Sequence, residues 1–253
     1  MYNPFSLDNK LIVVTGASSG IGRQCAIDCS RMGATVILIA RNEERLKETI
    51  SEMYRSEIHH FFTVDLSQTN KIKSIVDEII EKYGKIDGFI HAAGIEKSLP
   101  AKYLSSEDYL SLFSVNALSA FEFIRYFSNK KYFNNNGHIV LISSITALIG
   151  RIGVAAYAAS KGALVSFVHS MALELAPKNI CINCVSPGTI LTPMMQKVLS
   201  TLSEEDYKKR VSGFPLGLGS VTDISNTCIF LLSDASKWIT GQNIVVDGGY
   251  TIQ

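Results

Sequence analysis

A chain of 253 residues, 47% hydrophobic and 19% charged, can bury a sizeable core, and its composition excludes a disordered protein. The net charge of +1 gives no electrostatic reason to expect nucleic acid or a charged membrane surface as a partner. No basic leader precedes an apolar signal core and no apolar run is long enough to span a membrane, so a cytoplasmic protein without a membrane partner is expected.

Lys10-Leu11-Ile12-Val13-Val14-Thr15 is apolar without alternation, which predicts a strand buried on both faces. Gly16-Ala17-Ser18-Ser19-Gly20-Ile21-Gly22 follows, and an amphipathic run from about Gly20 predicts a helix. The spacing Gly-x-x-x-Gly-x-Gly permits a sharp turn and close approach of a ligand to the backbone. Free N–H groups at the helix start, with the helix dipole behind them, suit an anionic pyrophosphate, although packing alone also produces such turns. Ala34 to Ala40 predicts a second strand ending at Arg41-Asn42, with a charged helix from about Glu43. Ile58 to Val64 predicts a third strand, closed by Asp65-Leu66. Ser67 is placed to cap a helix carrying Ile72, Ile75, Val76, Ile79 and Ile80 at helical spacing.

Ile86 to His91 predicts a fourth strand ending in Ala92-Ala93-Gly94, then a long apolar helix from about Ser106 to Lys131, broken at Asn134-Asn135-Asn136-Gly137. A fifth strand is expected from His138 to Ile142, ending in Ser143-Ser144. A helix is expected over about Ala155 to Ala176 and a sixth strand over Ile180 to Val185, ending at Ser186-Pro187-Gly188. Thr189 to Val221 is of mixed composition, and a short helix then leads to a last strand at Ile244-Val245-Val246.

This alternation predicts an α/β protein with a single Rossmann-type doubly wound parallel sheet, about seven strands with helices on both faces, in one domain over 1–253. Ligands of such sheets bind beyond the carboxyl ends of the strands. That is where Gly16 to Gly22, Arg41, Asp65, Gly94, Ser144 and Pro187-Gly188 fall. The cysteines read as buried thiols. Cys25 and Cys29 sit one turn apart on a helix; Cys181 and Cys184, three apart on a strand, point to opposite faces with no second pair to complete a zinc site. No metal is expected.

Tyr157 and Lys161 are four apart on one helix and share a face, which brings an ammonium near a phenol. A neighbouring cation favours phenolate, and such a tyrosine can give a proton to a carbonyl oxygen or remove one from an alcohol. Tyr126-x-x-x-Lys130 has the same spacing and reads as a helix face only. Ser144, at a strand's carboxyl end, distinguishes Tyr157: its hydroxyl can hold a substrate oxygen beside the phenol.

Over nearly its whole length the chain resembles the short-chain dehydrogenase/reductase family. The matching residues are Thr15-Gly16-x-x-x-Gly20-Ile21-Gly22, Asp65, Ala93-Gly94, Asn116, Ser144, Tyr157-x-x-x-Lys161, Pro187-Gly188, Thr240-Gly241-Gln242 and Asp247-Gly248-Gly249. The resemblance implies that Tyr157 is the catalytic acid/base. Lys161 would lower its pKa and hold the nicotinamide ribose, and Ser144 would position the carbonyl. Asn116 is similar to the asparagine that disturbs its helix and steadies a water beside the lysine. Ser18, Ser19 and Ile21 would join the three glycines around the pyrophosphate. Asp65 and Leu66 would meet the adenine, and Ala93, Gly94, Pro187, Gly188, Ile190 and Thr192 would border the rest of the cofactor.

Two departures stand out. His91-Ala92-Ala93-Gly94 replaces the family's Asn-Asn-Ala-Gly, and His91 is expected to fill the asparagine's place rather than bind metal or relay protons. Pro215-Leu216-Gly217-Leu218-Gly219 is similar to bacterial 3-oxoacyl-carrier-protein reductases but lacks their arginine.

The expected cofactor is NADP(H) in preference to NAD(H). Ala40 stands where NAD enzymes carry an acid, and Arg41 follows with a fork suited to a 2′-phosphate. The expected activity is hydride transfer between the nicotinamide and a small-molecule carbonyl or secondary alcohol. The alternatives are a cofactor-binding scaffold or sensor without turnover, and a sugar-nucleotide epimerase or dehydratase, which usually has a larger carboxyl-terminal domain. Thr189 to Val221 is expected to form a substrate lid, with Met194, Met195, Leu199, Leu202, Phe214 and Leu216 as an apolar wall. The helices over Ala155 to Ala176 and Leu110 to Phe127, apolar on all sides, predict a homo-oligomer, by resemblance a tetramer.

Overall fold

The computed structural model describes residues 3–253. The apolar runs form seven parallel strands: β1 Leu11–Thr15, β2 Thr35–Ala40, β3 His60–Thr63, β4 Ile86–His91, β5 Phe133–Ile142, β6 Cys181–Pro187 and β7 Asn243–Val246. Their order across the sheet is β3-β2-β1-β4-β5-β6-β7. The chain therefore reverses direction of winding between β1 and β4, and a crevice opens at their carboxyl ends.

Nine helices among the described residues cover the sheet: α1 Gly20–Arg31, α2 Glu43–Ser51, α3 Ile72–Tyr83, α4 Ser106–Phe113, α5 Ser119–Phe127, α6 Ala155–Leu175, α7 Pro193–Leu199, α8 Glu204–Ser212 and α9 Val221–Leu232. Successive strand residues point to opposite faces. Val13, Ile39, Phe89 and Leu141 accordingly cluster with Ile72, Val76 and Ile79 of α3, Phe123 of α5 and Leu164 of α6. On the other face Ile12, Leu38, Ile90 and Val140 cluster with Cys25 of α1, Leu46 of α2 and Cys228 of α9. Both sheet faces are covered, as the unalternating apolar runs predict. All five cysteines are buried free thiols, with Cys25 and Cys228 in contact across α1 and α9.

Three elements differ from expectation. Ser67 does not cap α3: its N–H is taken by Asp65 Oδ1 at 3.0 Å, and α3 starts at Ile72 after a short turn over Thr69–Lys71. The helix expected over Ser106 to Lys131 is interrupted by a π-helical turn at Ser114–Leu118 and ends at Phe127. Lys130 therefore lies beyond the helix carrying Tyr126. Asn134 to Gly137 is not a break before the fifth strand but part of its irregular start. Phe133 pairs with Ile86 and His138 with Gly88, so the register shifts between them. Asn136 takes up the excess in the left-handed region at φ 63°, and Asn134 Nδ2 donates to Asp87 Oδ1 at 2.7 Å.

Candidate functional site

A cleft of about 710 Å³ runs along the carboxyl ends of the strands, from Arg41 past the glycine loop to Tyr157 and Lys161. Its floor is the turn between β1 and α1. Gly16 has φ +69° and Gly20 φ +56°, conformations that favour glycine. A Cβ on Gly16 would sit 2.8 Å from the Ala92–Ala93 backbone, and one on Gly22 would sit 2.5 Å from the Gly16 carbonyl oxygen. The Ser19 N-cap makes no side-chain capping bond, which leaves the first N–H groups of α1 open. A narrow backbone cradle with unspent donors at a helix start fits the diphosphate of a dinucleotide.

Gly16, Ser18, Ser19, Gly20, Ile21, Gly22, Arg41, Asp65, Leu66, Ala93, Gly94, Ser144, Tyr157, Lys161, Pro187, Gly188, Ile190 and Thr192 all line this cleft. Asn116 does not; it lies behind the wall, fully buried. Its Oδ1 accepts from Ile95 N at 2.8 Å, and its Nδ2 donates to Ile95 O and Ser160 Oγ, each at 3.0 Å. The π-helical turn places this amide so that it ties the loop after β4 to α6.

Asp65 is held below the usual carboxylate range by the Ser67 backbone N–H, with a smaller contribution from Arg41. Thr192 caps α7 by accepting from Met195 N at 3.2 Å. Its methyl group comes within 3.3 Å of where a Gly20 side chain would begin.

Arg45 lines the cleft beside Arg41, although no motif marks it in the sequence. Asn42, which also lines the cleft, caps α2 by accepting from Arg45 N at 2.9 Å. Among the described residues neither Arg41 nor Arg45 has a carboxylate within 4.0 Å. Glu96 also lines the cleft without any sequence signal, since it sits in a loop without periodicity.

At the other end, Lys161 is buried, and its Nζ donates to Ile142 O at 2.8 Å. Gly94 leaves room for it, since a Cβ there would lie 3.2 Å from Nζ. Burial lowers the Lys161 pKa to about 8. The Tyr157 phenol moves the other way from the expected lowering. Burial raises it above the ordinary value, Glu96 adds to the rise, and a hydrogen bond with Ser144 opposes it. Lys161 Nζ is 5.9 Å from the Tyr157 ring centroid. Ser144 Oγ accepts from Thr146 N at 3.2 Å and Thr146 Oγ1 at 3.0 Å.

His91 is fully buried, with Nδ1 3.0 Å from Thr15 Oγ1, and Thr15 Oγ1 also accepts from Ala93 N. Burial, then the nearby Lys161 charge, lowers its pKa to about 3, so the ring is neutral at physiological pH. Among the described residues no cluster of three or more metal-ligating side chains occurs.

A second cavity, of about 430 Å³, adjoins the cleft through Glu96, Ser144, Tyr157, Gly188 and Met195. Leu202 and Phe214 line it, and Met194 and Met195 line the main cleft. Two members of the expected apolar wall do not belong: Leu199 is packed in the interior, and Leu216 is 87% exposed.

A family model described as "Enoyl-(Acyl carrier protein) reductase" matches residues 16–251. Cyclopentanol dehydrogenase from Comamonas sp. is 35% identical over 97% of this chain and 98% of that protein. The 3-oxoacyl-(acyl-carrier-protein) reductase of Thermotoga maritima is 32% identical over 97% of this chain and 99% of its own. The crystal structure of a protein described as an NAD(P)-dependent gluconate 5-dehydrogenase from Beutenbergia cavernae, with bound NADP, superposes with a TM-score of 0.91. It is 29% identical, covering 99% of this chain and 100% of that one. Among the described residues no helix is long and apolar enough to cross a membrane.

Proposed function

Because the chain belongs to the short-chain dehydrogenase/reductase family of oxidoreductases, we propose that it uses NADP(H) to interconvert a small-molecule ketone and secondary alcohol. One observation carries this reading: Ser144, Tyr157 and Lys161 face the same cleft as the glycine cradle. When bound, the nicotinamide supplies hydride for reduction or takes it for oxidation.

The protein's own groups handle the rest. Ser144 Oγ holds the substrate oxygen beside Tyr157 Oη. The phenol, kept protonated by burial and by Glu96, gives its proton to that oxygen in reduction. In oxidation the Lys161 ammonium, charged below pH of about 8, favours the phenolate that accepts the proton. Asn116 acts as a positioning residue through Ile95 and Ser160. Asp65 and Leu66 border the adenine, and Pro187, Gly188, Ile190 and Thr192 border the nicotinamide. Residues 1–253 act as one unit, 189–221 cover the substrate, and the working form is a cytoplasmic homotetramer.

Arg41 and Arg45 favour NADP(H) over NAD(H). Both guanidinium groups line the cleft together with the uncharged Ala40, the position where an NAD-selecting acid would stand. Dissociation constants for NADPH and NADH, read from nicotinamide fluorescence, test this. A charged hydrogen bond contributes ~1.5–3 kcal/mol, so NADPH should bind roughly tenfold to a hundredfold more tightly. Arg41→Ala and Arg45→Ala should each reduce the preference. Tighter binding of NADH by the wild type, or an undiminished preference in both variants, would refute the assignment.

A further inference from the structure

The second cavity has a feature that ketone chemistry alone does not require. Arg151, on the turn before α6, and Lys209 and Arg210, on α8, line it together with Ser144 and Tyr157. Two acids also line it, Glu96 and Asp206. Glu96 Oε1 accepts from Ser98 Oγ at 2.8 Å while its charge also reaches Arg210, and Asp206 Oδ2 accepts from Ser203 Oγ at 2.7 Å. Among the described residues, neither arginine has a carboxylate within 4.0 Å. The Arg210 guanidinium instead touches the Met195 sulfur, at 3.6 Å.

The remaining lining is largely apolar, with Ile149, Val154, Leu202 and Phe214. Apolar walls strengthen the attraction between a cation and a bound anion. The pKa of Arg210 is lowered from its ordinary value by burial and then by the charge of Arg151, with the Glu96 carboxylate opposing. An anion bound beside Arg210 offsets both its burial and the nearby Arg151 charge.

We propose that this cavity binds an anionic group of the substrate, a carboxylate or a phosphate monoester, with Arg210 and Arg151 as its recognition residues. The substrate class is then an oxo acid or an oxo phosphate ester, with its carbonyl at Ser144 and Tyr157 and its charged end beneath α8. The assignment rests on the oxidoreductase reading above, which leaves the substrate open. A guanidinium fork matches either oxyanion with two parallel bonds.

Matched pairs separate charge from shape. The probes are levulinate against ethyl levulinate, and dihydroxyacetone phosphate against dihydroxyacetone, each with NADPH. Wild-type kcat/KM should favour the charged member of one pair by roughly tenfold to a hundredfold, and the responding pair identifies carboxylate or phosphate. In Arg210→Gln and Arg151→Gln that ratio should fall toward unity. A wild-type ratio near unity in both pairs, or a ratio unchanged in both variants, would overturn the proposal.

Thermal unfolding with the same four compounds, with and without NADP+, reads binding without turnover. A rise in Tm with a charged compound but not its neutral partner, lost in Arg210→Gln, supports the anion site even if no ketone is reduced. In that case reduction of these four compounds fails alone and the anion site stands. Equal rises, or none with any of the four, count against the anion site while leaving turnover of neutral ketones unaffected.

Discussion

His91 lies fully buried at the end of β4, its Nδ1 3.0 Å from Thr15 Oγ1, which in turn accepts from Ala93 N in the turn after the strand. Its pKa is about 3 in the folded protein against an ordinary value of 6.5. Between those values the unfolded chain binds more protons, so this contribution to stability is complete above the ordinary value and is lost as pH falls toward the folded one. His91→Asn should flatten the pH dependence of unfolding in that window, with a slope difference approaching ~1.4 kcal/mol per pH unit. Urea midpoints across the window test this; parallel curves for wild type and variant would contradict it. His138, lowered to about 4, titrates in both proteins and cancels in the comparison. Tyr157, Lys161 and Ser144 are legible in the sequence because each follows a short spacing or ends a strand. Arg45 and Glu96 are not, because their approach to the cleft depends on the direction of α2 and on the path of the loop after β4.

The β1–α1 turn is the element that shapes the cleft floor. Gly22 packs so closely on Gly16 that a methyl group there would meet the Gly16 carbonyl oxygen at 2.5 Å. Gly22→Ala should therefore displace the cradle and weaken NADPH binding by roughly tenfold or more, through loss of charged hydrogen bonds worth ~1.5–3 kcal/mol. Fluorescence titration checks this, and wild-type affinity in the variant would contradict it. The strands are readable as unalternating apolar runs. The interruption at Ser114–Leu118 and the early start of β5 are not, because a π-helical turn keeps the apolar composition of its helix and a register shift depends on the neighbouring strand.

At the scale of the molecule, one sheet covers only one side of α4, α5 and α6. Leu173 on α6 is 78% exposed and Leu110 on α4 is 65% exposed, with the small residues Ala155, Ala159 and Ser166 of α6 exposed as well. Burying such a face against a second copy would favour association. Light scattering at micromolar concentration should give about four times the 27.7 kDa chain mass, and a mass of one chain would contradict the assembly. The most direct test of the chemistry follows deuterium. With NADPH dideuterated at nicotinamide C4 and a panel of ketones and oxo acids, an alcohol product should carry one deuterium on its carbinol carbon. Tyr157→Phe should slow its appearance by ~10²–10⁴-fold while binding NADPH with near wild-type affinity. Tight NADPH binding with no deuterated alcohol from any member of the panel, or a Tyr157→Phe variant retaining more than half the wild-type rate, would contradict hydride transfer at this cleft with Tyr157 as the proton carrier.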